Sequence, residues 1–160
     1  GLLLPWEIYK NATLSSLEKY SSLSGINSKK ECQDGEELSK RLSIKAKDIY
    51  EKAGALSGGN QQKVVIGRCL SSLPKLVILD EPTRGIDAAA RGDVYSIILE
   101  LKKKGVAIML ISSDMEEIIE LSDRAVVMFQ GHVTRTLSKS EIDQNTLMNA
   151  SFDVKEEGEG

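Results

Sequence analysis

The sequence predicts an α/β fold with a mainly parallel sheet, preceded by a small helical region. Three observations predict it. Two short, continuous apolar runs, LVILD (residues 76–80) and VAIMLIS (residues 106–112), stand on either side of the clearest helical period in the chain. Continuous apolar runs of that length are how strands buried on both faces of a parallel sheet read, because helices cover both sides of such a sheet. From Gly58 onward the pattern runs helix, strand, helix, strand, helix, strand, whereas residues 1–52 contain no strand of any strength.

Taken in order, residues 1–52 are polar, rich in serine and lysine, and read as short helices joined by loops. The best of these is NSKKECQDGEELSKRL (27–42), which Asn27 or Ser28 can cap. Beyond Gly58, the apolar residues Val64, Val65, Cys69, Leu70 and Leu73 supply a helix of about four turns, stopped before Pro74 because the residue preceding proline is pushed out of helical backbone. Cys69 is expected in the core. After LVILD, the residues Val94, Ile97, Ile98 and Leu101 fall at i, i+3, i+4 and i+7. Asp87 can cap that helix, three lysines complement the dipole at its end, and Gly105 stops it. DMEEIIEL (114–121) predicts a short helix opened by Asp114 and Glu117 as a capping box. RAVVMF and HVTRTL predict a strand pair turned at Gln130 and Gly131, SKSEIDQNTLMNA a closing helix, and DVKEEGEG a solvated tail.

Composition narrows the function. The 160 residues suffice for one domain with a core or for two small subdomains. An aromatic share of 4% speaks against stacking platforms for single-stranded nucleic acid, and a net charge of −3 with interspersed signs speaks against a phosphate-backbone surface. A nucleotide stays compatible with that charge, since local amides and a metal hold it. Cys32 and Cys69 match no metal-ligand spacing, so a reduced, cytosolic protein without disulfides is expected. No apolar run approaches the roughly eighteen residues of a membrane span, and GLLLPWEIY is too short and lacks the basic leader of a signal peptide. The chain is expected to stay out of the bilayer.

Two stretches carry chemistry. LVILDEPT drives a strand through the core and delivers Asp80 and Glu81 at its carboxyl end, where open α/β sheets bind ligands. A strand-end aspartate can hold a hydrated magnesium ion, and a neighbouring glutamate can orient an attacking water. By itself the octet also fits two exposed carboxylates in a turn before Pro82. GALSGGNQQKVVIGRCL (54–70) sets Ser57, Gly58 and Gly59 at a helix start, where free amides and the dipole favour an anion and absent side chains allow a phosphate close. A plain serine cap followed by two loop glycines is the alternative, and it explains the serine better than the glycines.

LSGGNQQ, then LVILDEPT, then RGID resembles the ATP-binding cassette ATPases: a signature motif, a Walker B strand with its glutamate, and a D-loop. The form LSGGNQQKV with LDEPTRGID most resembles the second cassette of the two-cassette ATPases that energise bacterial importers of ribose, galactose and xylose. ISSDMEEI and the C-terminal part are similar to the cassette of the autoinducer-2 importer in that group. The resemblance implies a partial P-loop NTPase core: a helical and signature subdomain over residues 1–72, the Walker B half over 73–153, and an acidic flexible tail over 154–160. It implies that Ser57, Gly58, Gly59 and Asn60 touch the γ-phosphate of an ATP held by an opposing cassette. Asp80 would meet Mg2+ through water, Glu81 would be the catalytic carboxylate, and Asp87 would signal across the dimer seam. ATP and Mg2+ are then the cofactors. A second cassette arranged head to tail, membrane permease subunits and, indirectly, a solute-binding protein are the partners, with no nucleic acid. The place implied is cytoplasmic, peripheral on the inner face of the cell membrane.

Two departures qualify the resemblance. No G-x-x-x-x-G-K-[ST] occurs, so the loop that would cradle phosphates within the same chain is absent, and the sequence is expected to be the C-terminal part of a cassette. Ser113 in LISSD stands where most cassettes have the switch histidine, and a serine cannot shuttle charge as an imidazole does. The sole histidine, His132, reads as a turn residue. The chain alone is therefore expected neither to bind ATP tightly nor to hydrolyse it, and to self-associate through bared apolar sheet surface. Two other classes fit parts of the pattern: a non-catalytic module that completes a partner's site, and a cassette ATPase acting on nucleic acid or ribosomes. Charge, aromatic content and the lack of coiled-coil heptads argue against the last.

Overall fold

The computed structural model describes residues 1–23, 25–72 and 74–152. Leu73 and the tail at 153–160, both assigned from the sequence, lie outside the described residues. The chain divides into two compact units, one of Gly1–Val77 with Pro82–Met109, the other of Ile78–Glu81 with the chain from Leu110 onward.

In the first unit the helices are α1 (Ile8–Thr13), α2 (Ser28–Arg41), α3 (Gly58–Ser71) and α4 (Ala88–Lys103). A core of Ile8, Ala12, Leu56 and Val64 is flanked by partly buried Leu2, Leu38, Ile44 and Ala46. The six-residue α1 is too short to hold itself. Asn11, fully buried, ties it down: Nδ2 donates to the carbonyls of Leu3, Trp6 and Glu7, while Oδ1 accepts from the Leu3 amide and the Arg68 guanidinium. Asn27, rather than Ser28, caps α2 by accepting from the Lys30 amide. One expectation fails here, because residues 1–52 do contain strands: β1 (Ser21–Ser22) pairs antiparallel with β2 (Gly25–Ile26). Each has two exposed residues, so no buried face marks them in the sequence.

In α3 the buried face carries Gly59, Lys63, Val64, Ile66, Gly67 and Leu70. Cys69, expected in the core, is only half-buried, because that face is rotated toward Lys63 and Ile66. Helix α4 matches its prediction: Val94, Ile97, Ile98 and Leu101 are all buried, and Gly105 follows with φ +79°.

Strands β3 (Leu76–Asp80) and β4 (Ala107–Ile111) are hydrogen-bonded neighbours. The Ala107 amide donates to the Lys75 carbonyl and the Glu81 amide to the Ile111 carbonyl, so both strands advance in the same direction and the pair is parallel. Burial on both faces, as the continuous apolar runs imply, is not what the described residues provide. Val77 and Leu79 are buried, but Leu76 is 53% and Ile78 59% exposed, and Met109 and Ile111 are exposed as well.

The second unit holds α5 (Met115–Leu121), β5 (Arg124–Phe129), β6 (His132–Ser138) and α6 (Gln144–Ser151). Ala125, Val127, Leu137, Ile142, Leu147 and Ala150 form its core, with Met115, Ile118 and Ile119 packed against it. β5 and β6 pair antiparallel about Gln130 and Gly131, whose positive φ values of 47° and 82° are those a tight hairpin turn requires. His132 opens β6 and is exposed. Asp114 caps α5, accepting from the Glu116 and Glu117 amides. The single closing helix expected over 138–150 is instead a 3-10 turn (Lys139–Glu141) followed by α6. Ile142, in extended backbone, ends the first, and Asp143 caps the second, its carboxylate taking the Asn145 and Thr146 amides.

Candidate functional site

Ser57, Gly58, Gly59 and Asn60 sit where α3 begins, in the first unit. Ser57 occupies the cap position with extended backbone (φ −60°, ψ 156°) but makes no side-chain cap bond. Its Oγ instead accepts from Asn60 Nδ2 at 2.9 Å, and Asn60 Oδ1 accepts from the Lys45 amide at 2.8 Å. The Asn60 amide is thus an internal bracket between the 45–47 loop and the helix start. Ser57 and Asn60 border an open hollow of about 600 Å³, with Lys45, Lys47, Glu51 and Leu56 in its wall. A plain serine cap accounts for Ser57's position but not for its bonding.

The two glycines separate. A Cβ on Gly59 would stand 2.3 Å from the Cβ of Ala90, so Gly59 is required by the packing of α3 on α4. A Cβ on Gly58 would meet nothing nearer than Ile86 Cγ2 at 3.8 Å, an ordinary contact. Only at Gly58 does the chain's own packing leave the missing side chain unexplained.

Asp87 caps α4, its Oδ1 accepting from the Ala90 amide at 2.9 Å. The same Ala90 is the residue against which Gly59 packs, so Asp87 and Gly59 meet at one point. One turn further on, Lys63, 2% exposed, donates from Nζ to Asp93 Oδ2 at 2.7 Å and to the Ser43 carbonyl at 3.0 Å. That hydrogen bond holds the Asp93 carboxyl below its ordinary pKa. Neither Lys63 nor Asp93 was singled out from the sequence. The available signal was the spacing Gly59, Lys63, Ile66, Leu70, which puts a lysine in the middle of a helix's buried stripe.

Asp80 and Glu81 lie in the second unit at the carboxyl end of β3, together with Ser113. Glu81 has left-handed backbone, φ 47°, uncommon for a residue with a side chain. Two bonds hold it there: its amide donates to the Ile111 carbonyl at 2.8 Å, and its Oε1 accepts from the Ser113 amide at 3.0 Å. Ser113 therefore touches Glu81 through its backbone amide. Its neighbour Ser112 accepts the Asp114 amide, linking this loop to the cap of α5. Asp80 is exposed at the strand end. Among the described residues no three His, Cys, Asp or Glu side chains gather as a metal cage. The donors fit Mg2+ in the mode in which it takes one carboxylate and completes its shell with water and phosphate oxygens.

Known proteins similar to this chain identify its family and fold. The chain is 45% identical over 148 residues to a ribose import ATP-binding protein of Halalkalibacterium halodurans, covering 92% of this chain and 30% of that one. It is 45% identical over 148 residues to a xylose import ATP-binding protein of Geobacillus kaustophilus, covering 92% and 29%. It spans about 30% of the length of these curated relatives. Its fold is that of solved cassettes. One is a dimeric ATP-binding cassette in a post-hydrolysis state with ADP and Pi (TM-score 0.75, 21% identity, 87% of this chain and 59% of that one). Another is an ATP-binding cassette of an ABC transporter (TM-score 0.78, 24% identity, 94% and 63%). The family model described as ABC transporter matches residues 5–84, half of the sequence, and the chain belongs to the ABC transporter family.

Proposed function

We propose that this chain is part of an ATP-hydrolysing cassette that energises import of a sugar or sugar-like solute, and that it lends its signature face to the ATP site of an opposing cassette. The observation that carries the reading is the start of α3, which has no side-chain cap and borders an open hollow. There Ser57 Oγ and the first-turn amides can meet a terminal phosphate. Asn60 can join them with the second hydrogen of its Nδ2, the first being held by Ser57, and Gly59 serves from behind as the helix contact. Asp80 would hold Mg2+ through water, Mg2+ neutralising phosphate charge when bound. Glu81 would orient the attacking water through Oε2 while its Oε1 keeps the Ser113 amide. The solute class is taken from the relatives' names as ribose and xylose import proteins.

The remaining assignments follow from the same reading. A second cassette, permease subunits and an indirectly acting solute-binding protein are the partners, nucleic acid is not, and the place of work is the inner face of the cell membrane. Without G-x-x-x-x-G-K-[ST] the chain alone neither holds ATP tightly nor turns it over. Magnesium-dependent hydrolysis by the pure chain would refute that. Exposed Ile78, Val126, Met128 and Val133 favour self-association, and sedimentation as a monomer at high concentration would count against it.

A second reading, a non-catalytic module that completes its partner's site, is favoured by the engagement of Glu81 with Ser113. Mixing the chain with an intact partner cassette separates the two. Ser57→Arg abolishes any stimulated ATP turnover under both readings, whereas Glu81→Gln lowers it only if this chain's own carboxylate works. No effect of Ser57→Arg on stimulated turnover refutes both.

A further inference from the structure

We propose that Lys63 and Asp93 form an internal brace that locks the signature end of α3 to the D-loop end of α4, making the two segments one moving body. The functional labels rest on the reading above, but the brace itself does not. Two helices touching at one point can pivot; touching at two points a turn apart, they cannot. The first point is Gly59 on Ala90, with no room for another methyl. The second is Lys63 Nζ on Asp93 Oδ2 at 2.7 Å, four residues after Gly59 and three after Ala90, and so on the same faces of both helices.

Lys63 is the residue that makes the second point strong. At 2% exposure its ammonium has given up water and depends on the two oxygens it reaches. One belongs to α4. The other is the carbonyl of Ser43, whose own left-handed backbone (φ 49°) turns the chain just after α2 toward α3. From there the chain reaches Lys45, whose amide is held by Asn60. A displacement of Asn60 or Ser57 is thus resisted at the 43–45 turn and carried to α4 through Asp93. At the start of α4, Asp87 holds the Ala90 amide. In the cassette reading, a phosphate pressing on Ser57 moves Asp87 with it.

Disulfide trapping tests the brace without nucleotide. In the full chain with Cys32 and Cys69 replaced by serine, Gly58→Cys and Ile86→Cys place two thiols across the junction, since a Cβ at 58 lies 3.8 Å from Ile86 Cγ2. The rate of disulfide closure under a fixed oxidant reports how often the two ends keep their native juxtaposition. Lys63→Met and Asp93→Asn should each slow closure about tenfold, within the span of coupling found for residues in one ion-pair network. The double variant should be no slower than the worse single, and Asp93→Glu should restore most of the rate. Leu147→Ala, in the other unit, lowers the melting temperature without slowing closure, which separates bracing from general loss of stability.

If Lys63→Met does not fold, Asp93→Asn and Asp93→Glu carry the test, because Asp93 is 49% exposed. Closure within about twofold of the parent in folded Asp93→Asn overturns the brace. Failure of the Ser57→Arg mixing experiment overturns the ATP reading and leaves the trapping result standing.

Discussion

Replacing Gly59 by alanine adds one methyl group where α3 meets α4, and the structure fixes what that methyl encounters. The new Cβ would stand 2.3 Å from Ala90 Cβ. Apolar carbons rest at roughly 3.5–4.0 Å, so the helices must part by more than about 1 Å locally. Ala90 Cβ is bonded directly to the backbone of α4 and cannot rotate away. Overpacking of this kind costs about 1–3 kcal/mol, and the gain in helix propensity returns at most about 1 kcal/mol, less in a first turn. The expected net loss is about 1–2 kcal/mol. Gly58→Ala meets only Ile86 Cγ2 at 3.8 Å, and its stability should stay level or rise by a few tenths of a kcal/mol. Urea unfolding followed by circular dichroism checks both, with a lower midpoint and unchanged slope for Gly59→Ala alone. Moving the obstacle tests the cause. Gly59→Ala combined with Ala90→Gly should be no less stable than Ala90→Gly alone, a coupling of about 1–3 kcal/mol. Equal midpoints for Gly58→Ala and Gly59→Ala would refute the packing argument and return Gly59 to the ligand face.

Three further outcomes are expected. The hydrogen bond from Lys63 holds Asp93 below its ordinary pKa. A carboxyl depressed on folding stabilises above its unfolded pKa and loses that contribution as pH falls through the folded one. The urea midpoint should therefore drop on acidification below about pH 4, with a shallower drop in Asp93→Asn. The difference is small because Asp93 is half exposed, and an unchanged slope would contradict the pairing. Asn11→Ala strands the Leu3 amide and deprives the Arg68 guanidinium of an acceptor, at a cost of about 2–4 kcal/mol in chemical denaturation; a loss below about 1 kcal/mol counts against the tether. Glu81→Ala should speed hydrogen exchange of the Ser113 amide about tenfold, as expected for one lost charge-assisted bond worth about 1.5 kcal/mol, and Glu81→Gln less, because it keeps an acceptor oxygen. Equal exchange in all three proteins would dismiss the contact.

The parts of the fold legible in the sequence are those written in local chemistry. The helix carrying Val94, Ile97, Ile98 and Leu101, with Asp87 ahead and Gly105 behind, declares its face, its cap and its stop within eighteen or so residues, and each is found in place. The Gln130 and Gly131 turn declares itself by residue type. The candidate site is written in the sequence as residue types and not as bonds. Ser57 and Asn60 are marked by residue type, but the bond of Asn60 to Lys45 joins segments fifteen residues apart and leaves no periodic trace. Lys63 was missed because a lysine reads as polar until its partner is known, and Asp93 is thirty residues away in sequence. The glycine pair invited one explanation because spacing cannot distinguish a glycine that admits a ligand from one that admits a neighbouring helix.

The strands mislead for a different reason. An apolar run records the surroundings a segment suits, whereas burial records the surroundings it has. Val77 and Leu79 have theirs, while Leu76, Ile78, Met109 and Ile111 remain exposed among the described residues. Fully covering a side chain of this size is favourable by about 1.5–3 kcal/mol. Each of these four therefore retains roughly half of that driving force, since each is about half exposed already. Ordinary solvent-facing strands alternate polar with apolar residues and carry no such reserve. In LVILD the reserve lies on the face of Leu76 and Ile78, opposite the buried Val77 and Leu79, and in AIMLI on the face of Met109 and Ile111. Whatever polypeptide supplies the second face gains from each of these side chains. A second copy of the chain presents the same apolar positions, and nothing in its strands selects against it, for β3 and β4 hold no inward lysine and no proline of the kind that blunts exposed sheet surface elsewhere.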